Sequence, residues 1–265
     1  MEIIICKDAD EVARVAADRV ARVAEAVGPA VVIGVATGSS PIGLYNELAA
    51  KVAAGELDLS EASTFALDEY VGIAEGHPES YHEVIRRTVT EPMKLDPARV
   101  HVPNGFAADP QQAALDYEEA IEDAGGVDVQ ILGIGSNGHI GFNEPASGLS
   151  SRTRLKTLTV QTREDNARFF DSIDQVPLHC LTQGLGTILD ARRVVLVAQG
   201  EGKADAVAAM VEGPVTAMCP ASVLQFHRAA TVVIDEAAAS KLTQGDFYRW
   251  IHDNKPAWQR EIKGA

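Results

Sequence analysis

A strand-length run that ends in a cluster of glycines constrains this chain more than any other stretch. The mostly apolar segment 127–132 is followed by four glycines within nine residues, Gly133, Gly135, Gly138 and Gly141. Glycine lets the backbone come close to a ligand because no Cβ stands in the way. Asn137, His139 and Glu144 lie within or just after this cluster. In an open α/β sheet such a loop borders the crevice at the carboxyl ends of the strands, so we expect a functional site here.

Two other interpretations of this loop stay open from the residues alone. Its first three glycines satisfy the G-x-G-x-x-G pattern of dinucleotide-binding sites, which requires a helix to begin at the third glycine. Gly141 and Pro145 follow closely and disfavour such a helix, and with it a nicotinamide site. The loop could also be purely structural, with His139 on the surface. Two titratable groups five residues apart, His139 and Glu144, favour a functional site over that interpretation.

Strands and helices are expected to alternate along the whole chain. The expected strands are 2–6, 30–35, 63–67, 127–132, 154–160, 194–198 and 230–234. The expected helices lie between Asp8 and Gly28, from Pro41 onward, and at 80–89, 111–124, 163–170, 177–189, 203–211 and 246–253. No linker, repeat or low-complexity segment interrupts them. This pattern predicts an α/β fold: one Rossmann-like domain over residues 1–265, with a mostly parallel sheet flanked by helices on both faces.

Polar residues follow two further strands. The second strand runs into Thr37-Gly38-Ser39-Ser40-Pro41, where Ser40 is a favoured N-cap and Pro41 a favoured first helical residue. A small polar loop before a helix is a natural anion site, because free N–H groups and hydroxyls point outward. The third strand ends in Asp68-Glu69, and alternation sends these two acids to opposite faces, so only one of them enters a given pocket. We expect these strand ends and the glycine loop to meet in one crevice.

Charge and residue usage exclude several classes of function. A net charge of −15 argues against nonspecific binding to nucleic acid or to anionic membranes. The three cysteines are scattered without a C-x-x-C pattern, which fits a reducing compartment, and the N-terminus does not resemble a signal peptide. No apolar run approaches membrane-spanning length, so we expect a cytoplasmic protein. The histidines show no metal-ligand spacing, and we expect no metal. The Gly-Lys at Lys203 lacks the spacing of a nucleotide P-loop but remains a credible phosphate contact.

Five motifs together resemble those of the glucosamine-6-phosphate deaminase family. They are Ala-Thr-Gly-Ser-Ser-Pro, Leu-Asp-Glu-Tyr-Val-Gly, His-Pro-Glu-Ser-Tyr, Gly-His-Ile-Gly-Phe-Asn-Glu-Pro and Ser-Arg-Thr-Arg-Leu-Lys-Thr, in the family's order between Val31 and Phe226. The fourth motif is the most specific, because the related 6-phosphogluconolactonases share the glycine loop but lack its Phe-Asn-Glu-Pro continuation. The resemblance implies a cofactor-free reaction in which glucosamine 6-phosphate and water give fructose 6-phosphate and ammonia. We class this deaminase among the hydrolases.

The resemblance also implies roles for individual residues. His139 matches the family's ring-opening base, Glu144 the acid that orients it, and Asp68 the base that moves a proton from C2 to C1 of the sugar. Asn137 stands where some members have aspartate; an amide can accept a hydrogen bond from His139 but cannot stabilise an imidazolium by charge. Whether Asn137 takes part in ring opening is therefore open. The family's phosphate-holding positions correspond to Thr37, Gly38, Ser39, Ser40, Arg168 and Lys203.

A second site follows from the same resemblance. Ser147, Arg154 and Lys156 match the family's effector positions, which implies an allosteric site for N-acetylglucosamine 6-phosphate in a homo-oligomer, with a hexamer expected. Arg154 and Lys156 lie two residues apart on an expected strand and so face the same way. An exposed basic edge strand would give the same pattern without any ligand.

Two other functions compete with the deaminase. A lactonase acting on a sugar-phosphate lactone would share the fold but would not need Asp68 as a base toward carbon. A non-catalytic sugar-phosphate sensor is disfavoured by the acidic charge and by the lack of any recognisable DNA-binding segment. Fold alone does not separate these functions, because function depends on the site residues.

Overall fold

The structure is a computed structural model that describes residues 1–74, 76–256 and 259. Its strands are β1 (Glu2–Cys6), β2 (Val32–Val35), β3 (Ser63–Ala66), β4 (Asp68–Val71), β5 (Val100–His101), β6 (Val129–Leu132), β7 (Arg154–Thr157), β8 (His179–Thr182), β9 (Val194–Ala198) and β10 (Ala230–Asp235). Its α-helices are α1 (Ala9–Val27), α2 (Ile42–Ala53), α3 (Tyr81–Ile85), α4 (Pro110–Asp123), α5 (Val160–Asn166), α6 (Leu185–Leu189), α7 (Ala204–Val211) and α8 (Gly245–Asp253). A π-helical turn, Arg86–Thr90, continues α3, and a 3₁₀ turn, Ala167–Phe169, continues α5.

Seven strands form one parallel sheet in the order β1-β10-β9-β6-β2-β3-β5. Helices α1 and α2 cover one face, where Val20 and Leu44 join a core cluster with Ile131. Helices α4, α6 and α7 cover the other face, where Tyr117 and Val207 belong to a second cluster. The expected α/β fold, a mostly parallel sheet with helices on both faces, is confirmed. Within the described ranges no helix is long and apolar enough to cross a bilayer.

Several helices begin at the caps that the sequence predicts. The side chain of Asp8 accepts a hydrogen bond from the backbone N–H of Glu11 (2.9 Å), and α1 ends at Gly28, whose φ is 100°. Ser80 caps α3 by accepting from the N–H of Glu83 (3.3 Å), and Asp109 caps α4 in the same way. Each cap satisfies a backbone donor that the first helical turn leaves unpaired.

A second, smaller sheet was not expected from the sequence. Strands β4, β8 and β7 pair antiparallel in that order. The chain enters this sheet directly from β3 through one residue, Leu67. Its N–H donates to the carbonyl of Val35 in the large sheet (3.0 Å), and its carbonyl accepts from the N–H of Gln183 (2.7 Å). Asp68, the first residue of β4, therefore lies where the two sheets meet.

The helix predicted for 177–189 is wrong in its first half. Residues His179–Thr182 form β8, and only Leu185–Leu189 are helical. Strand β8 is the central strand of the small sheet, with Cys180 and Leu181 fully buried between its two neighbours. Gly184 then passes so close to the backbone of Ser151 that a Cβ would lie 2.0 Å from its carbonyl oxygen. Pairing with distant strands outweighs the helical pattern of the local sequence.

Three other boundaries differ from the predictions. The strand predicted for 154–160 stops at Thr157, because Thr159 caps α5 by accepting from the N–H of Thr162 (3.1 Å). The helix predicted for 163–170 is α5 followed by its 3₁₀ turn. Ser40 does not cap α2: Pro41 occupies the cap position and no side chain bonds to the first turn. The N–H of Ile42 donates to the carbonyl of Ser39 (3.4 Å), and no side chain takes up the other N–H groups of this first turn.

Candidate active site

The polar strand ends that the sequence singles out do meet at one edge of the large sheet. They follow β2, β3 and β6, which lie beside β9 in the order β9-β6-β2-β3. The loop after β2 touches the loop after β6, because a Cβ on Gly133 would lie 3.6 Å from the Cβ of Ser40. Gln199, after β9, donates to the carbonyl of Ser40 (3.2 Å). A Cβ on Gly141 would lie 3.5 Å from Oδ2 of Asp68. These contacts define a single crevice.

Asp68 and Glu69 point to opposite faces, as alternation along a strand predicts. The Glu69 carboxylate accepts hydrogen bonds from the N–H groups of Tyr81 and His82 at the start of α3, both at 2.9 Å, and from that of Tyr70 (2.7 Å). Burial raises the pKa of Glu69, and these bonds oppose the rise. Glu69 is thus the acid that has backbone partners, and it holds α3 against β4.

The carboxyl group of Asp68 has no such partners. Asp68 is 5% exposed, and no donor in the described part of the chain bonds to its carboxylate. Burial raises its pKa well above the usual range, and the negative charge of Glu69 adds to the rise. A buried carboxyl group with a raised pKa and an unused pair of oxygens is suited to taking up and returning a proton near neutral pH.

The glycine loop folds around the imidazole of His139. The N–H of Gly135 donates to the carbonyl of His139 (2.9 Å), which closes the loop, and Gly138 has a φ of 83°. The imidazole lies directly over Gly135, where an added Cβ would come within 2.2 Å of the ring. On its other side the loop is closed by Cys219, whose Sγ would lie 2.6 Å from a Cβ on Gly138. These glycines are required for close approach, and the nucleotide interpretation fails because no helix begins in the loop.

His139 and Glu144 form a pair, and Asn137 joins it in an unexpected way. Nδ1 of His139 lies 3.5 Å from Oε2 of Glu144, an ionic contact that is long for a hydrogen bond. Asn137 donates from Nδ2 to the same Oε2 (2.8 Å). Its Oδ1 accepts from the backbone N–H of His139 (3.2 Å), not from the ring. The suggested bond between Asn137 and the imidazole is therefore not formed; Asn137 fixes the Glu144 carboxylate and the backbone of the loop.

The carboxylate of Glu144 is held in its charged form. Glu144 is 3% exposed, and burial alone would raise its pKa. The contact with His139 and the hydrogen bonds from Thr162 and Asn137 outweigh burial and lower the pKa of Glu144 to about 2. Glu144 therefore remains anionic at neutral pH.

The predicted phosphate positions lie around the same crevice. Gly38 and Ser39 are exposed, with Gly38 at a φ of 93°, and the loop leads into the uncapped start of α2. Lys203 is half-buried; burial lowers its pKa, with Asp165 raising it and nearby Arg168 lowering it further. Arg168, on the 3₁₀ turn after α5, is therefore close enough to Lys203, which follows β9, for their charges to interact. An anion at an uncapped helix start with two cations nearby is electrostatically favoured.

Two of the predicted effector positions lie on the small sheet, where Arg154 pairs with Thr182, the residue that also pairs with Asp68. Arg154 and Lys156 are on β7, the edge strand of the small sheet, with side chains on its more buried face. Burial lowers the pKa of Arg154. Ser147 is 2% exposed, and its buried Oγ has no hydrogen-bond partner among the residues that the structure describes. In the described residues these three side chains make no hydrogen bond or ion pair with one another.

Sequence reasoning missed a set of hydroxyl and amide groups that support the site. Thr159 and Thr162 both reach Oε1 of Glu144, the first at 3.3 Å. Asn166 donates to the hydroxyl of Tyr70 (2.9 Å), and the hydroxyl of Tyr81 lies 3.3 Å from the same oxygen. The one signal for this segment in the sequence is Thr159, a residue type favoured as the N-cap of a helix. Over the described residues there is no group of three or more potential metal ligands.

Comparison with known proteins gives one consistent family. The chain matches, over residues 7–233, the family model described as glucosamine-6-phosphate isomerases/6-phosphogluconolactonase. It is 59% identical over 256 residues to a glucosamine-6-phosphate deaminase of Cutibacterium acnes, covering 96% of this chain and 97% of that protein. It is 56% identical over 260 residues to a glucosamine-6-phosphate deaminase of Streptomyces coelicolor, covering 98% and 99%. The family is described by isomerisation, which corrects our classification among the hydrolases.

Solved structures agree with the fold. One is described as a monomeric glucosamine-6-phosphate deaminase and missing link of the NagB superfamily; it is 40% identical with a TM-score of 0.88, covering 91% of this chain and 99% of that one. A 6-phosphogluconolactonase from Trypanosoma cruzi is 20% identical with a TM-score of 0.74, covering 91% and 97%. At that identity the second structure shares the fold alone.

Proposed function

The chain belongs to the glucosamine-6-phosphate isomerase/6-phosphogluconolactonase family, and from that premise we propose that it is a glucosamine-6-phosphate deaminase. It converts glucosamine 6-phosphate and water to fructose 6-phosphate and ammonia, without a cofactor. The observation that carries the proposal is the buried, unpartnered carboxyl group of Asp68 facing the loop that holds His139 and Glu144. A lactonase needs no base toward carbon, so Asp68 favours the deaminase.

Ring opening is the first step. The anomeric hydroxyl must lose a proton and the ring oxygen must gain one, and an imidazole can carry that proton near neutral pH. His139 performs this transfer. Glu144, held anionic, lies beside the ring and orients it. Asn137 acts through Glu144 and the loop backbone, with no contact to the imidazole.

Proton transfer between carbons follows. Asp68 takes the C2 proton of the open aldehyde sugar while the protonated amino group loses a proton and the aldehyde oxygen gains one, which gives an enediol-like enolamine; Asp68 then returns its proton to C1. The nitrogen at C2 then forms an iminium, water adds to C2, and ammonia leaves to give the ketose. The raised pKa of Asp68 suits both halves of this transfer, since the same group must accept and release one proton.

Phosphate binding fixes the sugar over these groups. The loop residues Thr37, Gly38, Ser39 and Ser40, with the N–H groups that begin α2, receive the phosphate on one side. Arg168 and Lys203 close it from the other side. These local cations and N–H groups hold an anionic substrate against the net charge of −15.

One assay separates the proposed function from its alternatives. The purified protein is offered glucosamine 6-phosphate, its galactosamine and mannosamine counterparts, and 6-phosphogluconolactone. We expect ammonia from glucosamine 6-phosphate and no hydrolysis of the lactone. Lactone hydrolysis without ammonia release would establish the lactonase, and binding without either reaction would establish the sensor.

We further propose an allosteric site for N-acetylglucosamine 6-phosphate at Ser147, Arg154 and Lys156 in a homo-oligomer, with a hexamer expected. The unpartnered Oγ of Ser147 and the shared face of the two cations support a ligand here. The similar deaminase structure described as monomeric makes the assembly a point to measure directly, by light scattering. Arg154→Ala should leave basal turnover unchanged and abolish activation by the acetylated sugar phosphate. Unchanged activation in that variant would contradict the site.

We also propose that residues 1–265 act as one domain in the cytoplasm. The three cysteines, all free and buried, fit a reducing compartment. Fractionation of cells that produce the protein tests the location, and a single cooperative unfolding transition tests the domain.

A further inference from the structure

Helix α5 meets the ring-opening pair from outside the glycine loop. Its capping residue Thr159 and its buried Thr162 both direct their hydroxyls at Oε1 of Glu144. The two hydroxyls also contact each other, 3.0 Å apart. Thr162 is 5% exposed and Glu144 is 3% exposed, so water does not compete for this contact. Helix α5 therefore reaches a carboxylate that the glycine loop alone would leave half-satisfied.

The two oxygens of Glu144 face different parts of the molecule. Oε2 faces the loop, where it contacts Nδ1 of His139 at 3.5 Å and accepts from Asn137 at 2.8 Å. Oε1 faces α5 through the threonine hydroxyls. The contact between His139 and Glu144 is long, so it does not by itself fix the angle of the carboxylate. Asn137 on Oε2 and the threonine hydroxyls on Oε1 together fix that angle, and with it the direction that Oε2 presents to the imidazole.

We propose that Thr162 is a positioning residue for ring opening: its hydroxyl holds the Glu144 carboxylate in the orientation that keeps His139 in place. This proposal rests on the proposed function. It also gives α5 a second role, because the 3₁₀ turn that continues the helix carries Arg168, which lies near Lys203 on the phosphate side. One short element thus joins the phosphate-binding side of the crevice to the ring-opening pair.

The contact is separate from the capping of α5. The cap uses the N–H of Thr162 and the hydroxyl of Thr159 (3.1 Å), so the hydroxyl of Thr162 is not part of it. The far end of the segment is anchored independently, by Asn166 on the hydroxyl of Tyr70 (2.9 Å). Replacing Thr162 by valine keeps the shape and the N–H and removes the donor to Glu144.

The chain offers a matched control for this change. Thr187 is also 5% exposed, and its hydroxyl donates to Oε1 of a half-buried carboxylate, Glu118, at 2.6 Å. That pair lies in a network with Thr153 and Arg152 that our mechanism does not use. Thr162→Val and Thr187→Val therefore remove the same kind of bond, one at the site and one outside it.

Turnover and binding are measured for both valine variants and for Thr162→Ser, which keeps the hydroxyl. A hydrogen bond to a charged group corresponds to a factor of roughly 10–100, so we expect Thr162→Val to lose about that much in kcat on glucosamine 6-phosphate. Affinity for an acyclic amino-alditol phosphate, which needs no ring opening, should stay the same. Thr162→Ser should recover most of the turnover, and Thr187→Val should turn over normally. Equal losses in the two valine variants, or a normal Thr162→Val, would overturn the proposal.

A second measurement does not depend on activity. The side-chain carboxyl carbon of Glu144 is followed by NMR in protein labelled at glutamate, assigned with Glu144→Gln. In Thr162→Val it should titrate at higher pH than in the wild type, and in Thr187→Val it should not move. An unchanged titration in Thr162→Val would overturn the proposal even if turnover fell. Absence of ammonia release by the wild type would instead refute the proposed function, and the titration would still decide whether Thr162 holds Glu144.

Discussion

Asp68 and Glu144 are two buried carboxyl groups on one crevice, and their surroundings act on them in opposite directions. Asp68 has no donor among the described residues, and burial followed by the charge of Glu69 raises its pKa. Glu144 is just as buried, but donors from the loop and from α5 bring its pKa to about 2. Both groups are buried, so hydrogen-bond donors and neighbouring charges decide which form each carboxyl group takes.

The difference separates two tasks. A group that moves a proton between carbons must change its protonation state in every turnover, which a raised pKa permits. A group that orients an imidazole must stay charged throughout, which a lowered pKa ensures. Environments that push two nearby carboxyl groups apart in pKa are a mark of acid–base sites. Each of the following experiments changes one side of this contrast.

The largest effect is expected at the acid without donors. Asp68→Asn keeps the shape and removes the base, so turnover should fall by roughly 10²–10⁴-fold while substrate still binds. The measurement is ammonia release together with solvent exchange of the substrate's C2 proton.

Glu69→Gln is the control for this change. It should cost far less turnover but lower the free energy of unfolding by about 1–3 kcal/mol, because the N–H groups of Tyr81 and His82 lose a charged acceptor. If Asp68→Asn kept normal exchange while Glu69→Gln abolished it, the roles of the two acids would have to be exchanged.

The next largest effect is expected at His139, the partner of the charged Glu144. His139→Gln should slow reaction of the closed sugar by roughly 10²-fold, the lower end expected for loss of a general base, because the sugar also opens slowly without help. Exchange of the C1 proton of fructose 6-phosphate once its ring is open should be affected much less. Equal losses in both measurements would contradict the division between His139 and Asp68.

A smaller effect is expected from crowding the imidazole without changing its chemistry. Gly135→Ala places a Cβ within 2.2 Å of the His139 ring, which must then move away from Glu144. A shift of this size typically costs up to about 10²-fold, and we expect about 10-fold. Gly148→Ala is the control, because its Cβ would meet nothing within 4 Å. Similar rates for the two variants would mean that the position of the ring is not critical.

The smallest effect is on stability. The folded-state pKa of Asp68 is raised, so the folded protein binds this proton more tightly than the unfolded chain does. The Asp68 carboxyl group therefore makes the folded protein less stable as pH rises from about 4, the pKa of the group in the unfolded chain, toward its pKa in the folded protein. Asp68→Asn removes this loss and should be more stable than the wild type at neutral pH, with a smaller difference near pH 4. Urea unfolding at both pH values measures it; a variant less stable at neutral pH would contradict the assigned shift.

Much of this arrangement is predictable from the sequence, and the reasons are local. A continuous apolar run such as Val194–Ala198 predicts a buried parallel strand, and it is one. Alternation predicts that only one of Asp68 and Glu69 enters the crevice. The glycine pattern around His139 predicts close approach of the backbone, and the imidazole does lie on Gly135.

The remaining features depend on partners far away in the chain. A short buried strand such as β8 cannot be distinguished from a helix by periodicity, and its pairing with β4 and β7 decides its form. The contact of Thr162 with Glu144 joins residues 18 apart through the turn of a separate helix. The sequence left the role of Asn137 open, because an amide has both donors and acceptors and only the folded loop shows which are used.

The register of strand β4 decides which side of the strand each of the two acids faces. Asp68 pairs with Thr182 and Glu69 with Leu181, and each step along the strand reverses the side that a residue faces. Inserting or deleting one residue at Leu67 would turn the acid that now holds α3 into the crevice and the present base onto α3. Two residues added or removed would restore the order. Which acid is the base and which one holds α3 therefore depends on whether an even or an odd number of residues precedes them in the strand. Insertions or deletions here must add or remove residues in pairs to keep both roles.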